Sequence, residues 1–264
     1  MRERVIWGGV AAAIFIPFLL IGNLPFQFFV GILAMIGVSE LLKMKGLEIL
    51  SFEGVLAMLG AFFLTIPLDN YFSSLPMNGN ITVYAMMVFL ILAGTVFNNH
   101  SYSFDDAAFP IASSFYVGIG FQNLVTARMA GIDKVLLALF IAWATDIGAY
   151  AIGRRVGKRK LLPSVSPNKT VEGSLGGIIC AVVVAIIFMI VDKSVYAPHS
   201  FIMMLLYVVI FSIFGQFGDL VESAFKRHFN VKDSGKLIPG HGGILDRCDS
   251  LIFVFPIMHL VGLF

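Results

Sequence analysis

Nine apolar runs of near-membrane length follow one another along the whole chain, at residues 5–21, 24–42, 52–68, 81–97, 109–125, 135–152, 175–191, 201–220 and 244–264. About 20 apolar residues cross the hydrocarbon of a bilayer, and in lipid a single segment can do so only as a helix that satisfies its own backbone groups. The pattern predicts an all-α, polytopic integral membrane protein with about nine transmembrane helices. A composition of 58% hydrophobic and 13% charged residues fits, and no stretch remains for a soluble domain. The third and fourth runs are the least regular, because Glu53 opens one and the 67–79 segment between them is rich in turn formers. Arg2 and Arg4 precede an apolar stretch that continues to Ile21 and leads at once into another, which reads as a retained first helix rather than a cleaved signal.

Basic residues set the expected orientation. With the N-terminus in the cytoplasm, fifteen of the eighteen lysines and arginines fall on the inside: Arg2, Arg4, Lys43, Lys45, Arg154, Arg155, Lys158, Arg159, Lys160, Lys169, Lys226, Arg227, Lys232, Lys236 and Arg247. Only Arg128, Lys134 and Lys193 fall outside. Both long basic loops, 153–173 and 223–243, then share the cytoplasmic face, where a soluble nucleotide reaches them. A division follows into residues 1–130, about five helices without a catalytic motif, and 131–264, a catalytic region carrying the two loops. Cys180 and Cys248 make neither a disulfide framework nor a zinc pattern, and His100, His199, His228 and His259 lack metal-ligand spacing. There is no internal repeat, Rossmann fingerprint or Walker A loop.

The densest polar stretch, residues 223–249, lies between two apolar runs and reads SAFKRHFNVKDSGKLIPGHGGILDRCD. Charge so close to lipid is costly and calls for a phosphate or a metal. Upstream, Asp219, Ser223, Lys226 and Arg227 share one stripe of a helix, with Glu222 to the side. Downstream, Asp246, Arg247, Asp249 and Ser250 open the last helix, and the i, i+3 spacing aims both carboxylates one way. Three acids, Asp219, Asp246 and Asp249, can thus converge, and hard oxygen ligands at the membrane boundary suit Mg²⁺ carrying a polyphosphate. The turn Pro239, Gly240, His241, Gly242, Gly243 lets backbone amides face an anion, while His241 serves equally well as a turn hydrogen-bonder.

A second constellation covers residues 145–160 and 166–177. Asp146 lies inside an apolar helix and is a functional-site candidate by default, with helix packing as the alternative. Lys169, Thr170 and Glu172 precede the seventh helix, where substrate contact competes with capping by Ser166 or Thr170. Arg154, Arg155, Lys158, Arg159 and Lys160 fit a topogenic cluster that binds anionic headgroups.

At these residues the chain resembles the phosphatidate cytidylyltransferase, or CDP-diacylglycerol synthase, family. The C-terminal signature is carried by Ser223, Lys226, Arg227, Lys232, Asp233, Gly235, Pro239, Gly240, His241, Gly242, Gly243, Asp246, Arg247 and Asp249. Trp143, Asp146, Tyr150, Gly153, Ser166, Pro167, Lys169, Thr170, Glu172 and Gly173 are similar to the upstream pattern, so the likeness covers most of residues 143–249. Asn168 stands where the family often has lysine, and Cys248 fills a usually apolar slot. The resemblance implies a Mg²⁺-dependent, dimeric enzyme of the bacterial inner (plasma) membrane that joins CTP to phosphatidic acid, releasing pyrophosphate, with no nucleic-acid partner. Asp219, Asp246 and Asp249 are then expected to hold the metal. Lys226, Arg227 and Arg247 are expected to neutralise phosphate, and Lys232 and Asp233 to order the loop or meet the nucleotide. Ser223, Gly240, His241, Gly242, Gly243, Lys169 and Asp146 complete the expected substrate contacts. Lipid is expected to enter laterally between helices.

Two other readings compete. Another CTP-using lipid enzyme is consistent with the same motif, because an acyl pocket leaves no signature in apolar helices. A transporter with Asp146 and Asp219 as ion sites needs polar residues spread through several helices, whereas here charge gathers at one face. The D-G, A-R and D-x-x-x-D pattern of CDP-alcohol phosphotransferases is missing.

Overall fold

A computed structural model describes residues 2–72, 78–97 and 102–264, with residues 2–5 as backbone only. His100 and the side chains of Arg2 and Arg4 therefore lie outside the described residues, as do residues 73–77 of the turn-rich segment. The described chain is all-α apart from one small hairpin. Its helices are α1 (Arg2–Ile21), α2 (Asn23–Met44), α3 (Phe52–Thr65), α4 (Gly79–Phe97), α5 (Phe104–Ala130), α6 (Ile132–Val156), α7 (Val171–Val191), α8 (Phe201–His228) and α9 (Leu245–Leu260). Each overlaps one of the nine apolar runs.

Five of them, α2, α4, α6, α7 and α8, are long and apolar enough to cross a membrane. Others are shorter than the runs they occupy. α3 has 14 residues, a rise of about 21 Å against ~30 Å of hydrocarbon. It stops because Ile66 turns extended (φ −89°, ψ 130°) ahead of Pro67, as a residue before proline is pushed to do.

Side-chain caps mark where helices begin. Ser51 accepts from Gly54 N at 3.1 Å to start α3, and Ser200 accepts from Met203 N at 3.3 Å to start α8. α5 opens on a reciprocal pair, Ser103 N to Asp106 Oδ2 at 2.9 Å and Asp106 N to Ser103 Oγ at 3.3 Å.

The chain divides into two compact units, Met1–Val125 with Asp233–Arg247, and Thr126–Lys232 with Cys248–Phe264. The glycine turn thus groups with the N-terminal helices. In the first unit, α2 packs on α3 and α3 on α4 around Phe26, Leu42, Leu64 and Ile91, all nearly inaccessible. Lys45 stacks over the Phe109 ring at 4.8 Å, which brings the end of α2 to the start of α5.

In the second unit α6 and α7 pack against each other backbone to backbone. A Cβ on Gly173 would lie 2.7 Å from Ala149 O, and one on Gly177 2.7 Å from Thr145 O. Small residues allow this approach, the usual device for helix pairing in lipid. The loop between α6 and α7 holds a hairpin, β1 (Lys160–Leu162) antiparallel to β2 (Ser166–Thr170). β2 runs directly into α7, whose cap is Thr170, with Gly173 N donating to Thr170 Oγ1 at 3.1 Å. Glu172 accepts from Lys158 N (3.0 Å) and Arg159 N (3.2 Å), tying down the other arm of the loop.

Candidate active site

The second unit holds a cavity of about 440 Å³ lined by Asp146, Tyr150, Arg154, Lys169, Gln216 and Asp219, among others. α6 supplies the first three, the hairpin Lys169, and α8 the last two. The charge is balanced locally, because Lys169 Nζ forms an ion pair with Asp219 Oδ2. Ser223 Oγ, one turn on, donates to Asp219 Oδ1 at 3.3 Å, so both oxygens of this carboxylate are engaged from fixed elements. Gln216 Nε2 reaches Ser174 O at 3.4 Å, and Arg154 meets Tyr150 Oη at 3.3 Å.

Asp249, half-buried on α9, interacts electrostatically with Asp219 and with Glu222 and Lys226. Glu222 is 1% exposed and pairs with Lys226 at 3.1 Å. Lys226 also lines a smaller recess of about 270 Å³ with Arg227, Asn230, Val231 and Lys232. Arg227 Nε donates to Val165 O at 3.3 Å, which holds the hairpin loop against the end of α8. Among the described residues the lining carries three cations, Lys226 being paired with Glu222, and no carboxylate, which suits the recess to an anion.

In the first unit, Pro239–Gly243 forms a tight turn, with Ile238 N to Gly242 O and His241 N to Ile238 O both at 2.9 Å. Gly240 (φ 77°) and Gly242 (φ 84°) occupy the left-handed region there. His241 closes the turn through its backbone. Asp246 Oδ2 accepts from Ser234 N and Gly243 N, each at 2.8 Å, and lies 2.8 Å from Ser234 Oγ, so Asp246 is bound into its own loop. Beneath the loop, Glu40 accepts from Ser234 Oγ, Ile244 N and Leu245 N.

The residues expected from the sequence thus fall into defined places. Asp146, Lys169 and Asp219 line one cavity. Asp219, Ser223, Asp249 and Lys226 are neighbours, and Lys226, Arg227 and Lys232 line the basic recess. Asp246 belongs with Gly240, His241, Gly242 and Gly243. The side chains of Asp233 and Arg247 are exposed and form no hydrogen bond or ion pair among the described residues.

Glu40 and Gln216 are absent from the residues expected from the sequence, and Glu222 is expected only beside the stripe of Asp219, Ser223, Lys226 and Arg227. Glu40 was detectable, since it lies inside an apolar run just as Asp146 does, and an ionisable group there signals function by default.

Among the described residues no three His, Cys, Asp or Glu side chains group tightly enough to hold a metal by themselves. The adjacent carboxylates of Asp219 and Asp249 nevertheless suit a hard cation. Mg²⁺ commonly takes one or two protein carboxylates and fills its remaining positions with water and substrate phosphate.

Residues 2–264 match the model of the cytidylyltransferase family. The chain is 44% identical over 264 residues to a phosphatidate cytidylyltransferase of Staphylococcus saprophyticus, covering 99% of this chain and 98% of that one. It is 40% identical over 264 residues to one from Staphylococcus aureus strain COL, with 99% and 98% covered. Against one from Bacillus subtilis strain 168 the identity is 39% over 268 residues, covering 100% and 98%. With both chains covered almost end to end at such identity, this chain belongs to the cytidylyltransferase family.

Proposed function

We propose that the chain transfers the cytidylyl group of CTP to phosphatidic acid, giving CDP-diacylglycerol and pyrophosphate in phospholipid biosynthesis. A phosphate oxygen of the lipid attacks the α-phosphorus of CTP, a P–O bond forms there, and the bond to the β-phosphate oxygen breaks as pyrophosphate leaves. A lipid phosphate is already anionic at neutral pH, so the reaction needs charge neutralisation and in-line placement more than a general base. The observation that carries the reading is the cavity with the Lys169–Asp219 pair on its wall, beside which lie Asp249 and the cations of the α8 end.

Roles follow from charge. Lys169 neutralises phosphate in the larger cavity, and Lys226, Arg227 and Lys232 do so in the recess, where Arg227 offers bidentate geometry. Arg247 and the amides of the Gly240–Gly243 turn offer further donors. Asp219 and Asp249 would hold Mg²⁺, and Asp246, the third acid of the signature, is assigned to the same ion. When bound, the cation offsets charge on the triphosphate. Asp146 and Tyr150 shape the larger cavity wall.

The membrane reading extends to nine crossings, a cytoplasmic N-terminus and a cytoplasmic site in a bacterial plasma membrane, in a homodimer. The order of the described helices, each on an apolar run, and the distribution of basic residues support the crossings and the orientation. The dimer rests on the resemblance alone.

The test is detergent-solubilised protein with labelled CTP, phosphatidic acid and Mg²⁺. CDP-diacylglycerol and pyrophosphate in equal amounts are expected. Pyrophosphate without CDP-lipid, or neither product, overturns the reading. Asp246→Asn should abolish turnover in a folded protein, and retained transfer removes Asp246 from the site.

A further inference from the structure

Glu40 sits one turn before the end of α2 and is 3% exposed. Its carboxylate accepts three hydrogen bonds from a segment some two hundred residues away: Ser234 Oγ at 2.9 Å, Ile244 N at 2.8 Å and Leu245 N at 3.0 Å. A buried carboxylate in an apolar helix is costly unless such donors surround it.

These donors bracket the glycine turn, Ser234 before it and the two amides after it. Leu245 starts α9, where the first amides have no partner within the helix, so Glu40 acts as a cap supplied from a different helix. The loop backbone lies directly on the carboxyl group, since a Cβ on Gly235 would be 2.7 Å from Glu40 Oε1. Ser234 links Glu40 onward, because its Oγ accepts from Asp246 N at 3.3 Å and its own N–H donates to Asp246 Oδ2 at 2.8 Å. The grouping of Asp233–Arg247 with Met1–Val125 is the same relationship seen at larger scale.

We propose that Glu40 is a positioning residue for cytidylyl transfer. Through Ser234 and the α9 amides it fixes the glycine turn and the carboxylate of Asp246, and this is a task that the N-terminal helices perform for the signature loop. The proposal rests on the assignment of Asp246 to the Mg²⁺ site. Glutamine cannot replace Glu40 fully. Ile244 N donates to one carboxylate oxygen and Leu245 N to the other, so in either amide orientation an NH₂ group faces a backbone N–H.

The experiment compares wild type with Glu40→Gln, Ser234→Ala, the combined variant and Asn80→Leu. Asn80 is a control, a buried polar residue of the same unit that bonds Leu64 O away from the loop. The readouts are kcat, KM for CTP, binding of Mn²⁺ alone by electron paramagnetic resonance, and thermal unfolding. Glu40→Gln should lower kcat and Mn²⁺ affinity by about 10–100-fold, the usual effect of removing a group that orients a metal ligand. KM for CTP should stay within about threefold, since uniform substrate binding is untouched, and raised Mg²⁺ should restore part of the rate. Ser234→Ala should fall in the same direction, and the combined variant should be no worse than Glu40→Gln, because both act through one network. Asn80→Leu should lower Tm and leave kcat and Mn²⁺ affinity alone.

A folded Glu40→Gln with wild-type kcat and Mn²⁺ affinity overturns the proposal, as does a loss that follows Tm and ignores added Mg²⁺. Should Glu40→Gln not fold, Ser234→Ala decides by the same readouts. A wild-type protein that makes no CDP-diacylglycerol overturns the underlying reading and this proposal with it. An active wild type beside an unchanged Glu40→Gln overturns the proposal alone.

Discussion

Lys169, at the end of the hairpin before α7, is ion-paired with Asp219 on α8, fifty residues further along the chain. Each side chain keeps over a quarter of its surface exposed, so the pair contributes little to stability, at most about 1 kcal/mol. Its value is placement, because it sets a cation and a carboxylate on the wall of one cavity.

Lys169→Met should therefore separate function from folding. Thermal unfolding should shift by no more than about 4 °C, from a change of that size in a chain of this length. Activity with CTP and phosphatidic acid should fall by about 100-fold, as expected when a charged group aimed at a phosphate is lost. A variant with near-normal kcat/KM would make the pair a packing feature only.

Two glycines with the same backbone strain provide a matched comparison. Gly46 has φ 78° with nothing within 4 Å of an added Cβ, whereas at Gly242, φ 84°, the added atom collides with the carboxylate of Asp246. Alanine at either position costs about 1–2 kcal/mol for the left-handed conformation. Gly46→Ala should show that stability loss with kcat unchanged. Gly242→Ala should lose most of its activity as well, since Asp246 must move. Equal kcat in the two variants would show that the position of Asp246 does not matter to turnover.

What could be read from the sequence follows from where the physics is local. Each described α-helix falls on one of the apolar runs, five of them long and apolar enough to cross a membrane, because lipid leaves a segment no alternative backbone form. The runs did not announce that α3 stops at Thr65, a decision made by Ile66 and Pro67. The hairpin 160–170 lies in a stretch whose sequence predicts only loop, since strands of three and five residues carry too little alternation to register. The motif residues were visible as types, but their partners were not. Nothing in the spacing says that Asp219 meets Lys169, or that Glu40 holds Ile244 and Leu245, because such pairings depend on tertiary packing. The rule that singles out Asp146 applies equally to Glu40, an ionisable group inside an apolar run.

Thr170 joins fold and site through one hydroxyl. It caps α7 and is buried, and a Cβ on Gly153 would lie 2.9 Å from its Oγ1. Thr170→Ala should cost about 1 kcal/mol through the lost cap, with Lys169 shifted as the hairpin loosens. Thr170→Ser keeps the hydroxyl and should restore both Tm and KM for CTP. If Thr170→Ala and Thr170→Ser unfold at the same temperature, the cap contributes nothing.

Sidedness offers the broadest prediction, because contacts within the second unit tie it to two definite ends. Lys134 Nζ donates to Ser194 O (3.1 Å) and Val195 O (2.8 Å), joining the start of α6 to the α7–α8 connection at one end. Lys169 and Arg227 join the hairpin to the last turns of α8 at the other. The first end carries few basic residues and the second carries many, so the charge rule predicts that the hairpin end faces the cytoplasm. In a background with Cys180 and Cys248 replaced by alanine, Lys158→Cys and Lys236→Cys should react with an impermeant maleimide only after the membrane is opened. Lys193→Cys should react in intact cells. Labelling of position 193 only from the cytosolic side, with 158 and 236 open to the outside, would reverse the orientation and remove the site from its supply of CTP.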